Sequence, residues 1–225
     1  CEPAWLVDPG PDIDRHVSAL VAELEDRGGL GGIALTHDHL DHTAAVGAIS
    51  ARFPHAPVAG SGGAVDQTLG EGSSFGPFVA VATPGHGADH LAFVAGSAGF
   101  TGDAVLGEGS VFISPDAGAL ASYLAALQSL RDLDLAILCP GHGPPVHDPD
   151  RKLQQYIDHR LDRERRLVAA LADGKRQVEE LLDQAWADVP AALRPAARVT
   201  LAAHLDKLAD EGRLPDGVER PATGV

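Results

Sequence analysis

Thr36-His37-Asp38-His39-Leu40-Asp41-His42 follows the apolar run Ile33-Ala34-Leu35, so a short buried strand runs straight into three histidines and two aspartates. With 11 histidines in 225 residues, the pattern His-x-His-x-Asp-His is expected about 0.003 times by chance. Imidazole and carboxylate side chains packed this densely are the donor types that bind zinc and neighbouring transition metals. Three other strand-like runs end the same way. Phe78–Ala82 leads into Thr83-Pro84-Gly85-His86, Gly99–Thr101 into Gly102-Asp103, and Leu135–Cys139 into Pro140-Gly141-His142. Donors at the ends of rigid strands, beside glycines that permit close backbone approach, build a preorganised ligand set. His90, four residues past His86, reads as a residue that orients the site from behind. His16, His55, His147, His159 and His204 read as solvated or satisfied core histidines.

Composition narrows the function classes. Lys+Arg is 17 against 32 Asp+Glu, a net charge of −15, and all of it falls in residues 1–150. That part holds only Arg15, Arg27, Arg52 and Arg131 as bases, whereas residues 151–225 are balanced at 13 bases and 13 acids. A basic nucleic-acid platform is a poor reading of such a chain. No stretch approaches the ~18 uninterrupted apolar residues of a membrane span. Cys1 and Cys139 cannot form a disulfide framework, and Cys139, ending an apolar run, reads as a small buried hydrophobe. With no apolar leader in residues 1–15, a cytoplasmic, reducing setting is expected. The absence of any Met reads as a chain that begins partway through a gene product.

The charge shift sets an expected boundary at Pro149, with domains at 1–149 and 150–225. In the first, short apolar runs alternate with amphipathic stretches: a strand at Trp5-Leu6-Val7, a helix from Asp12 to Arg27, a helix over Ala44–Arg52, and an extended run Ala56–Ala59. Gly60–Gly76 reads as a loop, and Ser114-Pro115 as the cap of a helix carrying Leu120, Tyr123, Leu124 and Leu127. Beyond Asp148-Pro149 the period is helical throughout. A long helix carries Leu153 to Leu171, a second carries Val178, Leu181, Leu182, Ala185 and Trp186, and a third aligns Leu201, Leu205 and Leu208.

In order and context, His-x-His-x-Asp-His, the first Pro-Gly-His, Thr-Gly-Asp and the second Pro-Gly-His resemble the metallo-β-lactamase superfamily. That resemblance implies an α/β (α+β) fold, an αββα sandwich with a two-metal site at one edge. By position, His37, His39 and His86 resemble the ligands of one metal, and Asp41, His42 and His142 those of the second, with Asp103 bridging. Two Zn²⁺ are implied, with manganese or iron as alternatives. The helical third of the chain is similar to that of the β-lactamase-like protein 2 group. There a linker helix precedes a winged-helix unit. In this superfamily a strand pair usually precedes the strand matching Trp5–Val7, so the first domain reads as N-terminally incomplete.

The implied activity is hydrolysis by a metal-bridged hydroxide, with Asp41 both ligand and catalytic proton acceptor. The substrate is expected to be a small-molecule ester or thioester. One alternative is an endoribonuclease acting on single-stranded RNA. Another is a winged-helix nucleic-acid-binding protein with a structural lactamase-like half. The basic stretch Arg160, Arg163, Arg165 and Arg166 is interleaved with Asp158, Asp162 and Glu164 and reads as a salt-bridged exposed helix face. The apolar stripe of residues 150–225 is expected to pack on the first domain or, in a homodimer, on a partner subunit.

Overall fold

A computed structural model of the chain describes residues 3–114 and 116–222. Cys1 and Pro115, on which two of the expectations above fall, lie outside them. The described residues form two compact units. The first comprises the described residues within 3–83, 89–109 and 134–149, and the second those within 84–88, 110–114, 116–133 and 150–222.

The first unit holds two sheets. One is parallel: β1 (Ala4–Val7), β2 (Leu30–Ala34), β3 (Val58–Gly60) and β4 (Gln67–Thr68) lie side by side in that order. Parallel neighbours require crossovers. Here they are α1 (Asp14–Asp26) after β1, and α2 (Leu40–Thr43) with α3 (Val46–Arg52) after β2. The other sheet is a meander of β5 (Ser74–Phe75), β6 (Phe78–Ala82), β7 (Leu91–Ala95) and β8 (Ala98–Gly102), closed by β9 (Ile137–Pro140) parallel to β8.

Two-residue side-chain alternation explains the layering. Trp5, Val7, Ala34 and Ala59 from the parallel sheet share one core with Phe78, Ala80, Leu91, Phe93 and Phe100. The residues in between, Leu6, Ile33 and Val58, face the other way and pack with Val17, Leu20, Val21 and Leu24 of α1 and Ile49 of α3. Two details differ from the sequence reading. The Gly60–Gly76 stretch contains the short strands β4 and β5, because its backbone pairs with β3 and β6. The expected helix at Ala44–Arg52 is preceded by a separate turn of helix, α2, that carries Asp41 and His42.

Trp5 decides where the chain needs glycine. Its indole meets Phe75 and Phe78 edge-on, at centroid distances of 5.2 and 6.2 Å. A Cβ on Gly32 would sit 2.6 Å from the indole and 2.8 Å from Phe75.

The second unit is helical: α4 (Ala119–Asp132), α5 (Pro149–Ala172), α6 (Val178–Ala185) and α7 (Arg194–Asp210). α4 starts after Gly118 in a left-handed conformation and not at the expected cap, for the Ser114 hydroxyl is spent on Asp116. α6 opens with a capping box between Gln177 and Glu180. Leu167, Ala170 and Leu171 of α5 close a core with Val178, Leu181, Leu182, Trp186, Leu201, Leu205 and Leu208, in the helical periods expected.

The arginines of α5 are not an exposed face throughout. Arg160 and Arg163 are buried. Arg160 donates to the Val111 carbonyl and lies over the Tyr123 ring. Arg163 forks onto Asp188, while Arg165 and Arg166 pair with Asp162. His204 is fully buried against Trp186, and neither ring nitrogen has a hydrogen-bond partner among the described residues. It is buried without being satisfied.

These contacts make stability testable at two positions. Gly32→Ala should cost about 1–3 kcal/mol by overpacking, read as a lowered denaturant midpoint. His204 supplies a pH dependence. Burial, then Arg160, Lys207, His159 and Arg163, lowers its pKa from 6.5 to about 3. The unfolded chain therefore binds this proton first. Stability is full above about 6.5 and falls as pH drops towards 3. His204→Leu should flatten that fall, measured on the near-ultraviolet signal of Trp186 in a Trp5→Phe background. An unchanged profile would refute the assignment.

Candidate metal centre

The site is built at the strand ends of the first unit, starting with a residue that the motif reading passed over. Asp8 directly follows β1 with a positive φ of 49°, a conformation aspartate tolerates better than most residues. Its Oδ1 accepts the Thr36 backbone N–H at 2.8 Å. Its Oδ2 accepts the Thr36 hydroxyl at 2.7 Å and contacts His42 Nδ1 at 2.8 Å. The signal in the sequence was an aspartate at a strand end, followed by Pro9-Gly10, the same placement as the other candidate donors.

These bonds determine which ring nitrogens face the site. Thr36 spends its hydroxyl proton on Asp8, so at 3.0 Å from His37 Nδ1 its oxygen acts as acceptor. His37 therefore carries its proton on Nδ1 and presents the Nε2 lone pair. His42 likewise donates Nδ1–H to Asp8 and presents Nε2. This arrangement, a ligand imidazole held from behind by a carboxylate or hydroxyl, is the usual support for a metal-binding histidine. Asp8, His37 and His42 also bring donor atoms within 4.8 Å of one another, but their hydrogen bonds to Asp8 and Thr36 already explain that proximity.

On the open side, donor atoms of Asp41, His42 and His142 converge within 4.8 Å. His142 Nε2 lies 3.2 Å from Asp41 Oδ2 and 3.6 Å from Asp103 Oδ1, and His42 Nε2 lies 3.4 Å from Asp103 Oδ1. Burial disfavours the His42 imidazolium, but Asp103 and Asp8 on either side outweigh it and hold its pKa up at about 10, so Nε2 also carries a proton unless a bound ion displaces it. Two imidazoles and two carboxylates gathered at such distances match the donor chemistry of a divalent ion. His42 Nε2, buried and without a well-aligned hydrogen-bond partner among the described residues, points at the same place.

His39 meets the His37 ring edge-on at 4.4 Å. His86 lies in the segment Pro84–Ala88 that groups with the second unit, where its Nδ1 stands 3.1 Å from the Phe112 carbonyl. A carbonyl only accepts, so Nδ1 is protonated and Nε2 carries the lone pair.

Glycines let this set close up. A Cβ on Gly141 would lie 2.6 Å from the His42 ring and 2.9 Å from Asp103 Oδ1. On Gly102, whose φ is +45°, it would lie 2.4 Å from the Thr36 hydroxyl. Thr-Gly-Asp and Pro-Gly-His therefore need glycine for space as well as for conformation.

Two cavities flank the histidines. One of about 290 Å³ is lined by His37, Asp38, Thr43 and Val46, with the loop 60–64 and Asp89. The other, about 470 Å³, is lined by Asp41, His42 and His142 together with Val7, Phe100 and Cys139. Among the described residues no lysine or arginine lines either. The Cys139 thiol, expected to be buried, is half-buried, and desolvation raises its pKa.

Known proteins are similar to this chain in sequence and in fold. Residues 63–142 match the metallo-beta-lactamase superfamily model, and residues 178–216 the beta-lactamase associated winged helix domain. The beta-lactamase-like protein 2 homolog of Caenorhabditis elegans is 30% identical over 234 residues, covering 92% of this chain and 75% of the relative. The chain belongs to the metallo-β-lactamase superfamily. A metallo-beta-lactamase family protein from Thermus thermophilus shares the fold, with a TM-score of 0.67 over 92% of this chain and 84% of its own, at 23% identity. An atrochrysone carboxyl ACP thioesterase from Aspergillus fumigatus is 34% identical over 186 residues, 76% of this chain and 57% of its own length. Another solved structure, 28% identical with a TM-score of 0.53 over 64% of this chain and 84% of its own, is of a di-iron-bound form. The chain is thus a metal-dependent hydrolase of the metallo-β-lactamase fold with a C-terminal winged-helix domain. No described helix is long and apolar enough to cross a membrane.

Asp8 should tune this metallo-hydrolase from behind. Asp8→Asn keeps the side-chain shape but weakens the grip on His42 and Thr36. Zinc affinity should fall about 10- to 100-fold, measured by competition with a chromogenic chelator. Affinity equal to that of the unaltered chain would show that the carboxylate only shapes the turn.

Proposed function

We propose that this chain is a zinc-dependent hydrolase of small-molecule esters or thioesters. In this reading His37, His39 and His86 would hold one ion, Asp41, His42 and His142 the other, and Asp103 would serve both. Such ions, when bound, supply Lewis-acid activation of water and of a carbonyl oxygen. The chain's own part is orientation and proton handling. Asp41 is the most exposed carboxylate of the set, 3.2 Å from His142 Nε2, and takes the proton of the attacking water. Buried Asp103 and the Asp8–His42 pair keep the donor set in register while charge develops on the substrate.

The observation that carries the ester or thioester reading is the acidic, base-free lining of the cavity beside His37. Asp38 and Asp89 stand at its wall with Leu35, Val46 and the small residues of the loop 60–64. A neutral acyl group fits such a lining. A phosphodiester backbone finds no described lysine or arginine there to hold it, and Arg160, Arg163, Arg165 and Arg166 of α5 are buried or ion-paired. The relatives named as thioesterases point the same way.

The experiment is one panel on the full-length chain loaded with zinc: a simple aryl ester, a glutathione thioester, a cephalosporin and single-stranded RNA. Ester or thioester turnover should vanish on chelation and return with zinc, and Asp103→Ala should lose occupancy of the second ion. Because like charges across a contact cost several kcal/mol, an acetyl thioester should exceed the succinyl thioester of the same thiol by at least about tenfold in kcat/KM. Turnover that persists after complete metal removal would overturn the mechanism. RNA cleavage without ester turnover would transfer the assignment to a nuclease.

A further inference from the structure

We propose that His90 is a positioning residue that locks the backbone of Asp103, acting as a neutral imidazole held in one tautomer. The proposal rests on the reading of Asp103 as a ligand shared by two ions. His90 is 1% exposed. Its Nε2 lies 3.1 Å from the Asp103 backbone N–H, and its Nδ1 lies 2.7 Å from the Thr83 hydroxyl. A backbone N–H can only donate, so Nε2 must be the unprotonated nitrogen. The proton of the neutral ring is then on Nδ1, and the Thr83 hydroxyl oxygen accepts it. Each partner is thereby assigned one role, and the opposite tautomer would set two donors against each other at Nε2.

The consequence for the site is positional. Asp103 follows Gly102, whose positive φ and close approach to Thr36 and His90 leave the turn little latitude. With its N–H tied to His90, the Asp103 carboxylate is aimed at His42 and His142, which it meets at 3.4 and 3.6 Å. The same imidazole ring lies 4.9 Å from His37, tilted by 34°. One buried side chain therefore backs both halves of the donor set. The Thr83–His90 pair is further tied by the Thr83 N–H donating to the His90 carbonyl at 2.9 Å. These two residues stand at the ends of the segment that carries His86. The pair closes the base of one ligand-bearing segment while it aims the ligand of another.

The test reads the tautomer and the metal separately. Long-range proton–nitrogen NMR correlation on the full chain, with and without zinc, should show His90 protonated at Nδ1 alone. An Nε2-protonated or averaged ring would overturn the proposal. His90→Gln keeps an acceptor towards Asp103, His90→Phe removes it, and Thr83→Val removes the acceptor of Nδ1–H at nearly constant volume. Zinc affinity at the weaker site should fall about 10- to 100-fold in His90→Phe, be restored within a few-fold in His90→Gln, and fall in Thr83→Val with loss of the single tautomer. A folded His90→Phe with unchanged affinity and stoichiometry overturns the proposal. If that variant does not fold, the Thr83→Val affinity and tautomer decide. Absence of zinc binding by the unaltered chain sinks the metal reading and the positioning role with it. A wrong tautomer with normal zinc binding sinks the positioning role alone.

Discussion

The Asp8 carboxylate is the fixed point of the first unit. Its two oxygens accept from Thr36 twice and from His42 once, and those contacts tie the end of β1 to the turn after β2 and to α2. Removing an acceptor of this kind leaves several buried donors unsatisfied together, which costs more than any one of the bonds contributes. The ring orientations of His37 and His42 descend from it. Each imidazole spends its Nδ1 proton behind the site and so has only Nε2 to offer in front. A left-handed aspartate at a strand end is locally unfavourable. It persists because three hydrogen bonds, from Thr36 and His42, hold it.

Glycine does the complementary work. Gly102 and Gly141 bring backbone to within a methyl's width of Thr36, His42 and Asp103, so donors from three strand ends crowd into a volume that side chains would otherwise fill. Elsewhere in the first unit, Gly32 gives way to the Trp5 indole, which packs on Phe75 and Phe78. The two crowded places have opposite chemistry, one polar and one aromatic. The two-residue alternation of β1 and β2 decides which residues reach the inter-sheet core and which face the helices.

The charge distribution also acquires a physical meaning. The acidity of residues 1–150 is partly spent on Arg27 and Arg52, which pair with Glu23 and Glu25. Asp8, Asp38, Asp41 and Asp89 line the two cavities, where no described lysine or arginine stands. The balanced charge of the helical unit is not a uniform solvated surface. Arg163 and Glu164 are buried and paired, with Asp188 and with Lys207 and Arg213 respectively.

Sequence by itself determined the strand-to-donor pattern: His37, His39, Asp41 and His42 after one apolar run, and His86, Asp103 and His142 after three others. Ligand chemistry needs residue types at short, fixed spacings, and those are visible in one dimension. It determined the helical periods of α5, α6 and α7 for the same reason, since Leu201, Leu205 and Leu208 share a face whatever they pack against. Only the tertiary structure decided the role of Asp8, 28 residues from Thr36 and 34 from His42, and the tautomer of His90, which depends on a backbone N–H 13 residues away. It also decided the strands within Gly60–Gly76 and the burial of Arg160, Arg163 and His204. Each of these is set by a partner distant in the chain. A hydrogen bond or an edge-strand pairing with such a partner leaves no periodic trace in the local sequence.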